Sequence, residues 1–282
     1  MANTVRRQTY NFAQIKRDVQ NVVKARAINQ NGIIFGGAVR DEIIADHYNR
    51  IYKQLHGTID AKNQKNYWDA SFHPETAARI LNAEDIDVFF SKSEESSEFI
   101  KNIKQMCKDE DIKVVMNNNN NDDPSTNPRR YGQSLCVKKL TLTINVGKIP
   151  FSTRGYDIEF DVDVVTPRIG FSSVQPPFRN VDFLCNTFIK TKQGITLSSQ
   201  TGTYLDNLSF IDRTRESLKI MEDMVQFKTY FCKFEKLRTA EPGTCKFNKD
   251  SFKRINKLLK KEHFEWTICN LPFEIQDRKS NV

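Results

Sequence analysis

The spacing of apolar residues predicts five helices along the chain. Apolar side chains recur at intervals of three and four residues in each of these segments, as expected for an α-helix that buries one face. The segments are 11–27, 39–48, 94–107, 208–231 and 252–259. The last two predict that the end of the chain is mostly helical.

Strand patterns lie between these helices and define the rest of the fold. Short apolar runs predict strands at 32–35, 84–90 and 113–116, whereas strict alternation over 134–146 and 156–165 predicts a longer antiparallel pair. The fold class expected from this order is α+β, a mixed sheet with flanking helices and then a small, mostly helical C-terminal part.

Two polar segments, 57–73 and 117–130, are predicted to be insertions in this core. We expect the sheet and its helices to form one domain, 1–205, and the helical region to occupy 206–282.

Composition identifies a basic, folded protein. Its 282 residues include 43 Lys and Arg against 35 Asp and Glu, a formal charge of +8, and aromatic residues make up 11%, more than a disordered chain would carry. A basic surface favours phosphate-bearing partners such as nucleic acids or nucleotides, although it also serves solubility alone.

The cellular location of the protein is predicted from the lack of membrane-spanning and secretion signals in the sequence. No apolar run reaches the ~18 residues of a membrane span, and no signal peptide is evident. Six cysteines without close pairing fit a reducing compartment. We therefore expect no membrane partner and an intracellular, cytoplasmic location.

A paired glycine marks the first candidate site. Gly36 and Gly37 join a short strand to a helix, where glycines let the backbone approach a ligand and the helix N-terminus favours an anion. Arg40 lies one turn later and could reach the same anion. The alternative is a tight turn that binds nothing.

Two runs of alternating acids form the second and third candidates. Asp85 and Asp87 project from one side of a strand, and Asp157, Glu159, Asp161 and Asp163 do the same on another. Neighbouring carboxylates suit Mg²⁺ or Mn²⁺, but Asp85 and Asp87 could also belong to a solvated edge strand. The four later acids must be partly solvated, paired or metal-bound.

The fourth candidate is the segment 178–188, whose mixture of polar and apolar residues fits neither a plain helix nor a plain strand.

The four motifs, in this order, resemble those of the DNA polymerase beta-like nucleotidyltransferase superfamily. The closest resemblance is to its class II branch, the CCA-adding tRNA nucleotidyltransferases and bacterial-type poly(A) polymerases. The matching segments, which lie within residues 30–200, are Gly36–Asp41, Asp85–Asp87, Asp163–Arg168 and Arg179–Asn186. The family's base-selecting motif is matched only in part, by Asp212–Arg215.

The resemblance implies a set of roles for these residues. Asp85, Asp87 and Asp163 would be catalytic and would bind two Mg²⁺ or Mn²⁺ ions, with Asp161 as the alternative third carboxylate. The nucleotide would be bound by Gly36, Gly37, Arg40, Asp41, Arg179 and Asp182.

The implied activity is template-independent transfer of a nucleoside monophosphate from an NTP such as ATP to a hydroxyl acceptor. The expected acceptor is an RNA 3′ end, with DNA, a protein or a small molecule as alternatives. A different class of function also fits the resemblance: an inactive member of the fold that binds nucleic acid or serves as a structural protein.

Two further features lie in the C-terminal region. Cys232, Cys245, His263 and Cys269 could bind zinc, but their spacing favours ordinary thiols. The basic helix at 250–261 is a candidate for contact with a nucleic-acid backbone, or else an amphipathic helix that only packs on the core.

Overall fold

A computed structural model describes most of the chain in eight stretches. These are residues 12–56, 85–117, 135–148, 155–168, 175–178, 181–232, 249–259 and 266–271. The insertions predicted at 57–73 and 117–130 lie outside the described residues, except that Asn117 ends a strand.

The described residues form an α+β fold, as the sequence predicts. The helices are α1 (Phe12–Asn29), α2 (Gly37–His56), α3 (Ser93–Asp109), α4 (Phe210–Val225) and α5 (Lys249–Leu259). Short 3₁₀ helices lie at Leu184–Asn186 and Tyr204–Asn207.

Nine strands complete the set of elements in these stretches. They are β1 (Ile33–Phe35), β2 (Asp85–Phe89), β3 (Ile112–Asn117), β4 (Leu135–Lys148), β5 (Gly155–Pro167), β6 (Phe188–Thr191), β7 (Gly194–Leu197), β8 (Lys228–Tyr230) and β9 (Thr267–Cys269).

Seven of the strands form one mixed sheet in the order β3-β4-β5-β2-β1-β6-β7. Strands β2 and β5 run parallel and all other neighbours in this sheet are antiparallel, including the predicted pair β4–β5. The central β1, β2 and β5 therefore carry three of the four sequence motifs side by side.

The hydrophobic core lies between one face of the sheet and helices α1, α2 and α3. Ile86, Val88, Val162 and Val164 point into it from the two parallel strands and are at most 1% exposed. Since side chains alternate along a strand, the acidic residues between these positions are directed to the opposite face.

The C-terminal elements pack into the same core. Ile220 and Met224 of α4 and Ile255 and Leu258 of α5 belong to one hydrophobic cluster with the sheet residues. Described residues on both sides of the predicted boundary at 205 thus share this cluster.

One helix is shorter than the sequence pattern predicts, and one segment of mixed polarity contains an irregular element. The predicted helix 208–231 ends at Val225, and Lys228–Tyr230 instead forms β8, which pairs with β9. The segment that fitted no regular element contains a 3₁₀ helix at Leu184–Asn186, preceded by an isolated bridge from Phe183 to Phe231.

Candidate functional site

The parallel pairing of β2 and β5 brings the acidic motifs together. In this register Asp85 lies beside Asp161 and Asp87 lies beside Asp163. Paired residues on neighbouring strands share a face of the sheet, so all four carboxylates belong to one surface.

Exposure falls along the acidic face of β5. Asp157 and Glu159 are exposed, Asp161 has 32% of its side chain exposed, and Asp163 is 3% exposed. The acidic face of β5 is therefore partly solvated, as predicted, and the solvated part is the near end of the strand. The buried far end, Asp163, is the carboxylate that lies beside Asp87.

Asp161 is engaged by strand β4. The Lys139 ammonium lies 2.6 Å from its Oδ2, and the Thr141 hydroxyl donates a 2.7 Å hydrogen bond to its Oδ1. These contacts use both oxygens of Asp161. Of the two predicted alternatives for the third carboxylate, Asp163 has the closer relation to Asp87 in the register.

The glycine turn lies close to the Asp87 carboxylate. Gly36 has a φ of 75°, and a Cβ placed on it would lie 3.0 Å from Asp87 Oδ2. Both facts favour glycine, since a side chain would be strained there and would press on the carboxylate. Helix α2 starts at the next residue, so its N-terminus begins beside Asp87.

Arg40 is buried in contacts within the protein. Its Nε donates a 2.8 Å hydrogen bond to Asp41 Oδ1, and its Nη1 donates a 3.4 Å hydrogen bond to Asn186 Oδ1. Its Cζ lies 5.6 Å from the centre of the Trp266 ring. Arg40 thus joins the first motif to the fourth and to the C-terminal region.

The charge of Arg40 is maintained despite burial. Desolvation lowers the pKa of its guanidinium, but the neighbouring Asp41 and Cys185 raise it, and the net result is a pKa above the ordinary value. Arg40 and Asp41 are 6% and 5% exposed. A contact between either residue and a nucleotide remains a prediction.

Asp182 of the fourth motif is also buried, at 3% exposure. Its carboxylate pairs with Arg254 of α5, and its backbone carbonyl accepts a 2.9 Å hydrogen bond from the Cys232 amide. Arg179, the other predicted nucleotide-binding residue of this motif, lies outside the described residues.

Helix α5 also reaches the acidic face. Lys257 Nζ lies 3.7 Å from Asp85 Oδ2, and this lysine is three residues after Arg254. The predicted basic helix therefore places two cations on acids of the candidate site. The sequence pattern marked this helix as basic but did not indicate that Arg254 and Lys257 would pair with acids of the candidate site, because those acids lie far away along the chain.

An aromatic cluster borders the carboxylates on the same face of the sheet. Phe35 pairs with Asp87 in the register, and Phe89 follows two residues later on β2. Phe178 packs on both, with ring centroids 5.2 and 5.6 Å away. No local pattern predicts this cluster, because Phe178 lies far along the chain from both partners.

The described stretches contain no group of three or more His, Cys, Asp or Glu side chains arranged to hold a metal ion. The carboxylates at Asp85, Asp87 and Asp163 nevertheless have the oxygen-donor chemistry that Mg²⁺ and Mn²⁺ prefer. Of the predicted zinc ligands, Cys245 and His263 lie outside the described residues.

Comparison with protein-family models, with curated proteins and with solved structures finds no match to this chain. Among the described residues, no helix is both long enough and apolar enough to cross a membrane.

Proposed function

We propose that this protein is a metal-dependent nucleotidyltransferase that transfers a nucleoside monophosphate from an NTP to a hydroxyl, with an RNA 3′ end as the expected acceptor. The observation that carries this proposal is the proximity of three motifs that are distant in the sequence. Gly36 faces Asp87, and Asp87 lies beside Asp163 in the sheet.

Asp85, Asp87 and Asp163 are proposed to hold the divalent ions. Their donor set fits Mg²⁺ or Mn²⁺, and Gly36 leaves the space beside Asp87 Oδ2 that a side chain would fill. When bound, two such ions neutralise phosphate charge and lower the pKa of the acceptor hydroxyl.

The turn at Gly36 and Gly37 is proposed to receive the triphosphate. Backbone amides at the start of α2 favour an anion, and the missing side chains permit close approach. Arg40 would hold this turn in place from inside the protein, because hydrogen bonds to Asp41 and Asn186 fix its side chain.

The proposed reaction is an in-line displacement. The acceptor oxygen forms a bond to the α-phosphorus, the bond from that phosphorus to the bridging oxygen of the β-phosphate breaks, and pyrophosphate leaves with the electron pair. The hydroxyl proton passes to water. Positioning and charge stabilisation are the main contributions that a protein makes to such a transfer.

A transfer assay tests the proposal. Purified protein is incubated with each labelled NTP, Mg²⁺ or Mn²⁺, and RNA or single-stranded DNA acceptors, alongside Asp87→Asn. The matched control is Asp157→Asn, which alters an exposed acid on the same face of β5, near the start of that strand and away from Asp163.

We expect extension of an acceptor that is lost in Asp87→Asn and retained in Asp157→Asn. Equal extension by both variants would contradict the proposed site. If neither extension nor NTP binding occurs, the inactive nucleic-acid-binding or structural protein becomes the better account.

A further inference from the structure

Helix α5 is held firmly beside the candidate site. Ile255 is 0% exposed and Leu258 is 4% exposed, so the helix is anchored in the core by its apolar face. On its other side Arg254 pairs with the buried Asp182. These contacts fix the position from which the next basic side chain, Lys257, extends.

Lys257 is the more exposed of the two basic residues, with Arg254 at 46%. Its side chain is 55% exposed and its ammonium lies 3.7 Å from Asp85 Oδ2, a distance that allows an ion pair without tight hydrogen bonding. The Asp85 side chain is 29% exposed, and an ion pair that solvent reaches in this way contributes little stability.

A cation bound at Asp85 would change the balance of forces on Lys257. The divalent ion would neutralise the Asp85 carboxylate and repel the Lys257 ammonium. The triphosphate bound to that ion would attract the ammonium. A lysine on a flexible stem is suited to bind phosphate as a point charge.

We propose that Lys257 exchanges partners during nucleotide binding: it pairs with Asp85 in the free protein and with a phosphate of the metal-bound NTP in the complex. This inference rests on the proposed function, and it gives α5 a direct part in binding the substrate. Lys257 would thus weaken binding of the metal alone and strengthen binding of the metal–nucleotide complex.

Two binding measurements on the full chain test this exchange. The first measures Mn²⁺ affinity by electron paramagnetic resonance, and the second measures affinity for ATP in the presence of saturating Mn²⁺. Both are made on the wild type, Lys257→Gln, Lys257→Arg and Asp85→Asn. The control is Lys104→Gln, an exposed lysine of α3.

Lys257→Gln is expected to change the two affinities in opposite directions. Removing a competing exposed ion pair should tighten Mn²⁺ binding about two- to fivefold. Losing a charge-assisted contact to phosphate should weaken ATP binding about tenfold or more. Lys257→Arg should restore most of the ATP affinity, and Lys104→Gln should change neither.

This experiment distinguishes failure of the proposed partner exchange from failure of the proposed metal site. If Asp85→Asn loses Mn²⁺ while Lys257→Gln matches the wild type in both measurements, the exchange is wrong and the metal site stands. If Lys257→Gln weakens both affinities together, Lys257 supports the site only structurally and the exchange is again overturned. If the wild type binds no Mn²⁺, the metal site fails and the exchange fails with it.

Discussion

At the scale of single residues, the sequence predicts on which face of a strand the acidic side chains lie, but not which residues the charged side chains contact. Alternation along a strand is enough to place Asp85 and Asp87 on one side, opposite buried Ile86 and Val88. The sequence could not show that Arg40 is directed into the protein. Its contacts with Asn186 and Trp266 depend on residues 146 and 226 positions away, which only the folded chain brings near.

Replacing Gly36 tests the contact between the turn and Asp87. Gly36→Ala should cost about 1–2 kcal/mol of stability, because its φ of 75° is unfavourable for a residue with a Cβ. The new Cβ should also displace Asp87 Oδ2, 3.0 Å away. We therefore expect weaker Mn²⁺-dependent NTP binding, measured by calorimetry.

The control for this change is Gly194→Ala. Gly194 also has a positive φ, of 111°, but a Cβ there meets nothing within 4 Å. Both variants should lose stability in chemical denaturation, and only Gly36→Ala should lose NTP affinity. Equal NTP affinity in the two variants would show that the turn does not shape the site.

Replacing Arg40 tests its role inside the protein. Arg40→Met leaves the Asp41 carboxylate, 5% exposed, without the guanidinium that neutralises it. Breaking a buried ion pair in this way costs about 3–5 kcal/mol, which should be seen in urea denaturation. The double variant with Asp41→Asn should recover much of the loss, and a loss below about 1 kcal/mol in Arg40→Met would contradict this role.

At the scale of elements, the sequence predicted where helices and strands lie better than where they end. Helix α4 stops at Val225 because Phe227 adopts a left-handed φ of 54°, and β8 follows at once. Such a position usually carries glycine or asparagine, so a phenylalanine gave no stop signal. The apolar spacing continued through the end of the helix and predicted a longer one.

Both faces of helix α5 gave rise to a prediction, one about packing and one about binding. Its apolar stripe predicted packing, and the structure buries Ile255 and Leu258 as expected. Its basic face predicted contact with a nucleic-acid backbone, and that contact stays a prediction. The structure adds contacts of that face with Asp182 and Asp85.

Truncating Ile255 should loosen this helix. The side chain is fully buried, so Ile255→Ala should destabilise the protein by about 2–5 kcal/mol through lost burial and the cavity left behind. Thermal denaturation measures the effect, with Leu218→Ala as control because Leu218 of α4 is 59% exposed. Similar losses in both variants would mean that α5 does not depend on this anchor.

At the scale of the whole molecule, the fold class followed from the order of elements, but the sheet order did not. Strands β2 and β5 are separated by β3 and β4 along the chain and yet are parallel neighbours. That crossover sets the pairing of Asp87 with Asp163. No local pattern encodes such a pairing, since a register is set by contacts across the sheet.

The same crossover gives the molecule its central feature. Carboxylates from two strands, a glycine turn that follows a third and Lys257 of α5 meet on one face of the sheet, whereas the core fills the other. The proposed nucleotidyltransferase activity needs metal-binding acids beside a phosphate-binding turn, and the acids and the glycine turn on this face are the residues that we propose for these two roles.

The most direct test of this account is the metal dependence of NTP binding. Isothermal titration calorimetry would measure the binding of each NTP to the wild type, Asp87→Asn and Asp157→Asn, with Mn²⁺ and without it. The account predicts that at least one NTP binds the wild type and Asp157→Asn only when Mn²⁺ is present, and that Asp87→Asn loses this binding. NTP binding of equal strength in all three proteins, with or without Mn²⁺, would contradict the proposed active site.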